Sequence, residues 1–151
     1  LVPVVAVELA HVRHRDVARS VAFAAIVAPA GTFAVQRLSS ALSDARGNSA
    51  ALPGLALAGA IVSGPIGLIA NRLSRSVERR ADAYSLSLSS APDAFVSFDR
   101  KIAIQNVADL DPPRWVSALL ASHPPTRERI GAAVAFAQAG RAEPAERAPL
   151  N

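Results

Sequence analysis

The side chains that could carry chemistry are concentrated in three short segments of the chain. They are, in chain order, Glu8, His11, Glu78, Asp82, His123 and Arg129. The sequence has no cysteine, which excludes disulfides and thiolate metal ligands. A metal site would therefore have to use His, Asp or Glu side chains.

The first segment, Val-Glu-Leu-Ala-His at residues 7–11, resembles the H-E-x-x-H helix of zinc metallopeptidases. In that motif two His side chains on one helical face bind a zinc ion, and the Glu acts as general base on the water it activates. By this resemblance Glu8 is the general base and His11 is a zinc ligand. Val7 occupies the place of the first ligand His.

The second segment, Glu-Arg-Arg-Ala-Asp at residues 78–82, is similar to the helix that supplies a further ligand in such enzymes. The resemblance implies that Glu78 binds zinc and that Asp82, one turn later, orients a ligating imidazole. Taken alone, the same residues would also suit a solvated helix whose carboxylates balance neighbouring arginines.

The third segment runs from His123 through Pro124 and Pro125 to Arg129, and it resembles an H-P-P-x-x-x-R pattern. The resemblance implies that His123 stabilises the oxyanion of the tetrahedral intermediate and that Arg129 supports it. The alternative is a His beside a Pro-Pro helix start, with Arg129 merely exposed.

The three segments, with an apolar hairpin between the first two, resemble the HtpX-like heat-shock and CAAX prenyl endopeptidases, a gluzincin-type family of membrane zinc metallopeptidases. The resemblance covers about residues 4–135. It implies a mainly α, zincin-like helical core with an inserted transmembrane hairpin and one zinc ion per chain. Substrates would be misfolded or membrane-associated polypeptides, with prenylated ones less expected.

Val7 is the departure from this pattern. A catalytic zinc site usually has three protein ligands and a water, and Val7 offers no lone pair, so zinc binding should be weakened or lost. His14 could pair with His11, or Asp82 could donate instead. Otherwise the chain is an inactive pseudopeptidase acting as a membrane binding protein, or Val7 is an engineered change or a sequence error.

Two charge-free stretches, residues 20–36 and 47–71, predict a membrane hairpin over about residues 20–71. As helices they would span about 26 and 37 Å at about 1.5 Å per residue, against a hydrocarbon core of about 30 Å. The alternative is a soluble Ala-rich bundle in which both helices are buried.

Arginines flank this predicted hairpin on both sides. Those before it are Arg13, Arg15 and Arg19, and those after it are Arg72, Arg75, Arg79 and Arg80. The loop between the two stretches has only Arg37 and Arg46. The positive-inside rule then predicts a multi-pass protein of the cell membrane with its active site on the cytoplasmic side.

The net charge of +4 does not indicate nucleic-acid binding, because the basic residues flank apolar stretches and form no long tract interleaved with aromatics. The expected partners are a polypeptide substrate and the lipid bilayer.

Further helices are expected over about residues 4–19, 73–88, 95–107 and 115–121, and from Thr126 to near Gly140. A catalytic domain would then occupy residues 1–140, followed by a flexible tail at 141–151. The chain has no Met and opens close to its first motif, so we expect a fragment of a longer protein. Any small sheet beside the motif helix would lie mostly upstream.

Overall fold

A computed structural model of the chain describes residues 2–44 and 51–146. Within those ranges the chain is helical and has no β-strand, which confirms the predicted mainly α class with a helical hairpin. The helices are α1 (Val2–His14), α2 (Asp16–Asp44), α3 (Ala51–Ser89), α4 (Pro92–Gln105), α5 (Arg114–Leu119) and α6 (Thr126–Glu146).

The first helix is shorter than the sequence predicts. A single helix was expected through Arg19, but Arg15 has a φ of 54° and separates α1 from α2. Asp16 then begins α2, where the free N–H groups of a first turn favour a carboxylate. The turn at Arg15 brings Asp16 back towards the end of α1.

Helices α2 and α3 form an antiparallel hairpin. A Cβ at Gly31 would lie 3.1 Å from Ile66 Cδ1, and a Cβ at Gly54 would lie 3.1 Å from Ser43 Oγ. Ser43, late in α2, thus contacts Gly54, early in α3, which shows that the two helices run in opposite directions. Gly54 and Ala58 are buried at this contact, and such small residues let two helix backbones approach closely.

Helix α3 is one continuous element where the sequence predicts two. Its 39 residues correspond to about 58 Å at about 1.5 Å per residue. It therefore runs through the apolar stretch and on through the segment that carries Glu78 and Asp82. The second helix of the hairpin and the predicted ligand helix are therefore one continuous helix.

The apolar side chains of the hairpin face outward. Ile26 is 71% exposed and Leu52 is 80% exposed. Both helices are long and apolar enough to cross a membrane, yet only 0% and 11% of their most apolar windows are buried. In a soluble bundle these two helices would be buried against other parts of the protein. Within the described residues they are left exposed.

A small core lies beyond the hairpin, where α1, α3, α4 and α6 meet. Its buried members are Leu86, Phe95 and Ala133, and Val7 and Val96 pack against them. Because Val7 immediately precedes Glu8, this packing fixes the part of α1 that carries the first motif.

Helix α6 extends to Glu146, past the predicted end near Gly140, and continues through Pro144. Arg46 and residues 147–151 lie outside the described residues. The division into a catalytic domain and a tail stays a prediction.

The close approach of α2 and α3 predicts different effects of the same substitution at two glycines. Gly54→Val should lower the free energy of unfolding by about 1–3 kcal/mol, because the new side chain must displace Ser43 and Leu42. Gly59→Val is the matched control, since a Cβ there meets nothing within 4 Å. Equal stabilities of the two variants in detergent would contradict the packing described.

Candidate active-site cleft

Five of the six side chains singled out by sequence line one cavity of about 530 Å³. They are Glu8 and His11 from α1, Glu78 from α3, His123 from the loop before α6, and Arg129 from α6. Val7 also lines it. Asp82 does not belong to its lining. The fold thus brings together residues that lie more than a hundred positions apart in the chain.

The imidazole of His11 is held from one side by a buried carboxylate. His11 Nδ1 lies 3.1 Å from Asp16 Oδ2, and Arg80 Nη2 donates to the other oxygen of Asp16 at 2.5 Å. When Nδ1 carries the proton and donates it to Asp16, the lone pair of Nε2 is left free. This is the tautomer that a metal-binding imidazole requires.

Glu78 stands at the boundary between two cavities. Its side chain and that of His11 line both the 530 Å³ cavity and a neighbouring one of about 770 Å³ between α2 and α3. Glu78 Oε1 also lies 3.3 Å from His123 Nδ1. Glu78 is mostly buried, whereas His123 is 68% exposed and can therefore meet a ligand entering from solvent.

Both oxygens of Asp82, the residue predicted to orient a ligating imidazole, accept hydrogen bonds from Arg129. The two distances are 2.8 Å from Nε and 2.6 Å from Nη2. Arg129 Nη1 also lies 3.0 Å from Asp99 Oδ1, and the guanidinium lies over the Phe95 ring. The carboxylate that contacts His11 is Asp16.

Helix α1 packs directly against α3. Ser85 Oγ donates to the carbonyl of Pro3, and His11 shares two cavities with Glu78. The imidazole of His14 also packs edge-on against Tyr84 of α3.

The donors present fit a metal ion only in part. His11 and Glu78 line the same cavity, but Val7 packs against the core. Among the described side chains, no cluster of three or more His, Cys, Asp or Glu is arranged to hold a metal. His14 does not complete the set, because it is not part of the cavity lining that Glu8, His11 and Glu78 share, and its ring packs edge-on against Tyr84.

Comparison with known proteins identifies the family. The model of peptidase family M48 matches residues 1–137. The chain belongs to this family.

A curated relative supports the same assignment. An uncharacterized metalloprotease of Bacillus subtilis, YhfN, is 33% identical to this chain over 87 residues, which are 58% of this chain and 20% of the relative. The match thus spans about a fifth of the relative's length. No solved structure matched the chain significantly. Membership of family M48 implies a metal ion, usually zinc.

Three charged residues of the site region were not singled out from the sequence. Asp16 contacts His11, Arg80 donates to Asp16, and Asp99 pairs with Arg129. Asp16 could have been noticed from the sequence, because it lies just before an apolar helix and five residues after His11. Nothing in the local sequence around Asp99 indicates a buried carboxylate.

The cluster of Arg129 with Asp82 and Asp99, here called the Arg129 cluster, contains one cation. Removing that cation should strongly lower the stability of the fold. Arg129→Gln should lower the free energy of unfolding by about 3–5 kcal/mol, because Asp82 and Asp99 would remain buried without a counter-charge. Arg127→Gln, two residues earlier, removes only an exposed pair with Asp111 and should cost about 0–1 kcal/mol. Denaturant unfolding of both variants measures the difference, and equal costs would count against the cluster.

The same cluster predicts a pH dependence. Burial raises the pKa of Asp99 from 3.8 to about 6, against the opposing effect of Arg129. The folded state then binds the Asp99 proton more tightly, so this contribution to stability is present below about pH 4 and is lost as the pH rises through about 6. The difference in melting temperature between Asp99→Asn and the parent should therefore increase from pH 4 to 7. A difference independent of pH would contradict it.

Proposed function

We propose that this chain carries the catalytic cleft of a zinc-dependent endopeptidase that acts at the cytoplasmic face of a membrane. The single observation that supports it best is the shared cavity lined by Glu8, His11, Glu78 and His123. Side chains of the types needed for peptide hydrolysis come from three separate parts of the chain to one surface. Membership of family M48 supports the peptidase part of the proposal.

In this proposal His11 and Glu78 hold the metal. A bound zinc ion supplies a Lewis acid that polarises the scissile carbonyl and lowers the pKa of water. The charge-assisted contact with Asp16 keeps the His11 ring in one tautomer and one orientation. The Glu78 carboxylate keeps one oxygen beside His123.

Glu8 is the proposed general base. It takes the proton of the water that attacks the peptide carbonyl and delivers it to the leaving amine. His123 is exposed at the rim of the cavity and donates to the oxyanion. Arg129 is held by Asp82 and Asp99, so its proposed contribution is to keep a positive charge next to the oxyanion site.

The proposed substrates are polypeptides that are misfolded or lie at the membrane. The cavity lies beyond one end of the hairpin, along the same helix α3 that carries the outward-facing apolar stretch. The arginines on both flanks of the hairpin orient this end towards the cytoplasm. A peptide near the bilayer surface would therefore reach the cleft directly.

A second candidate function is favoured by Val7. Because Val7 contributes to the core and the described donors leave the metal site one ligand short, the cleft can retain a polypeptide without cleaving it. In that case the chain is an inactive pseudopeptidase that acts as a membrane binding protein. The Val7→His variant separates the two candidates.

Restoring an imidazole at position 7 should restore the site. Losing a residue that merely supports a metal ligand lowers metal affinity by about 10–100-fold. Because Val7→His adds a ligand itself, it should raise zinc affinity by more than that factor. Hydrolysis of a casein-type substrate should rise with it. Zinc content by atomic emission and cleavage by gel or fluorescence measure the two effects, with the protein in detergent.

Two variants control this experiment. Val5→His adds an imidazole to the exposed side of the same helix and should change neither zinc content nor cleavage. Val7→His with Glu8→Gln should keep the zinc and lower cleavage by about 10²–10⁴-fold. Zinc binding without cleavage in Val7→His would favour the binding protein, and neither zinc nor cleavage would refute the proposed site.

A further inference from the structure

A third cavity lies where the hairpin meets the rest of the protein. It has a volume of about 810 Å³ and is formed by α3, α5 and the start of α6. Its charged lining consists of five arginines and two carboxylates: Arg72, Arg75, Arg79, Arg114, Arg127, Asp111 and Glu128. The cavity is therefore strongly basic. It shares no predicted catalytic residue with the active-site cleft.

Three of these arginines are engaged by the protein. Arg79 pairs with Glu128, Arg127 pairs with Asp111, and Arg75 donates to carbonyl oxygens of α5 and the residues after it. Within the described part of the chain, Arg72 and Arg114 have neither an ion-pair partner nor a side-chain hydrogen bond. Both are exposed. Two guanidinium groups thus remain available for an anion.

The cavity is held at the end of the apolar stretch. Asn71, the last residue of that stretch, donates to the carbonyl of Leu119 at 3.0 Å. One turn later Arg75 donates to the carbonyl of Ala118 at 2.9 Å. From Ala51 to Asn71 helix α3 rises about 31 Å at about 1.5 Å per residue, close to the thickness of a hydrocarbon core. Helix α5 is therefore attached to α3 at the depth of the lipid headgroups.

The surroundings of the cavity are apolar on the hairpin side. Leu68, Ile69 and Leu119 line it, and each is at least 41% exposed. Trp115, next to Arg114 on α5, is 63% exposed. Tryptophan is enriched at membrane interfaces, where its apolar ring and its N–H group meet different environments. The site thus presents cations next to an apolar wall.

We propose that this cavity binds the phosphate headgroup of an anionic phospholipid from the cytoplasmic leaflet. Arg72 and Arg114 bind the phosphate oxygens, which guanidinium groups recognise with paired hydrogen bonds. The acyl chains lie along Leu68 and Ile69 of α3, and Trp115 lies at the headgroup level. The inference rests on the membrane hairpin of the proposed function and is independent of its peptidase chemistry.

Trp115 makes the site observable, since it is the single tryptophan of the chain. The full chain is placed in nanodiscs of phosphatidylcholine with one-tenth phosphatidylglycerol. Native mass spectrometry counts the phosphatidylglycerol retained, and brominated lipid measures quenching of Trp115. We expect selective retention of phosphatidylglycerol and strong quenching of Trp115.

The test variant is Arg72→Gln with Arg114→Gln. Retention should fall by about fivefold for each arginine removed, the factor that a basic side chain contributes near an anionic surface. Arg100→Gln with Lys101→Gln removes the same charge from exposed positions on α4 and should leave retention unchanged. Circular dichroism checks that both variants keep their helices.

Three results would overturn the proposal. One is equal loss of phosphatidylglycerol in the two double variants, which would mean that only net charge matters. Another is displacement of the lipid by millimolar glycerol 3-phosphate, which would indicate a site for a soluble phosphate. The third is an unquenched Trp115, which would show that α5 does not lie at the bilayer surface. Absence of peptidase activity affects none of these readouts.

Discussion

The guanidinium of Arg129, shared between Asp82 of α3 and Asp99 of α4, is the contact on which the site depends. Three helices with few large buried side chains are joined there by two charge-assisted pairs. Asp82 and Asp99 are almost fully buried, so their charges cannot be satisfied by water and must be satisfied by Arg129. This requirement fixes α6 against α3, and the loop before α6 carries His123 to Glu78. Desolvation makes such a cluster costly, which the raised pKa of Asp99 reflects.

The sequence predicted the helices and the convergence of the motifs better than it predicted their partners. Apolar periodicity and charge-free length indicate helices, and the order of three motifs indicates which segments should meet. The partner of a given carboxylate is a tertiary property. Asp82 lies one turn from Glu78, yet the side of α3 it occupies faces α6, where Arg129 lies. Asp16 pairs with His11 because Arg15 turns the chain with a positive φ, and the helical pattern of the sequence does not predict that turn.

Val7 lies between the apolar core and the cavity of the cleft, and the two environments favour different side chains. On one side the core formed by Leu86, Phe95 and Ala133 favours an apolar side chain. On the other side the cavity lined by Glu8 and His11 would suit an imidazole. Valine packs well against the core but offers no nitrogen to the cavity. The rest of the cleft presents side chains that a metal site could use, so the mismatch with such a site is confined to one position of α1.

The continuity of α3 relates the hairpin to the cleft mechanically. A helix that is hydrogen-bonded throughout does not bend easily except at a proline or a similar defect, and Pro65 lies in the apolar part, before Glu78. Beyond that proline, Arg75 attaches α5, Glu78 faces the cleft and Asp82 binds α6 within two helical turns. A shift of α3 along its axis would therefore move the basic cavity and the cleft together. Anchoring the end of the hairpin at the headgroups would fix the height of the cleft above the bilayer.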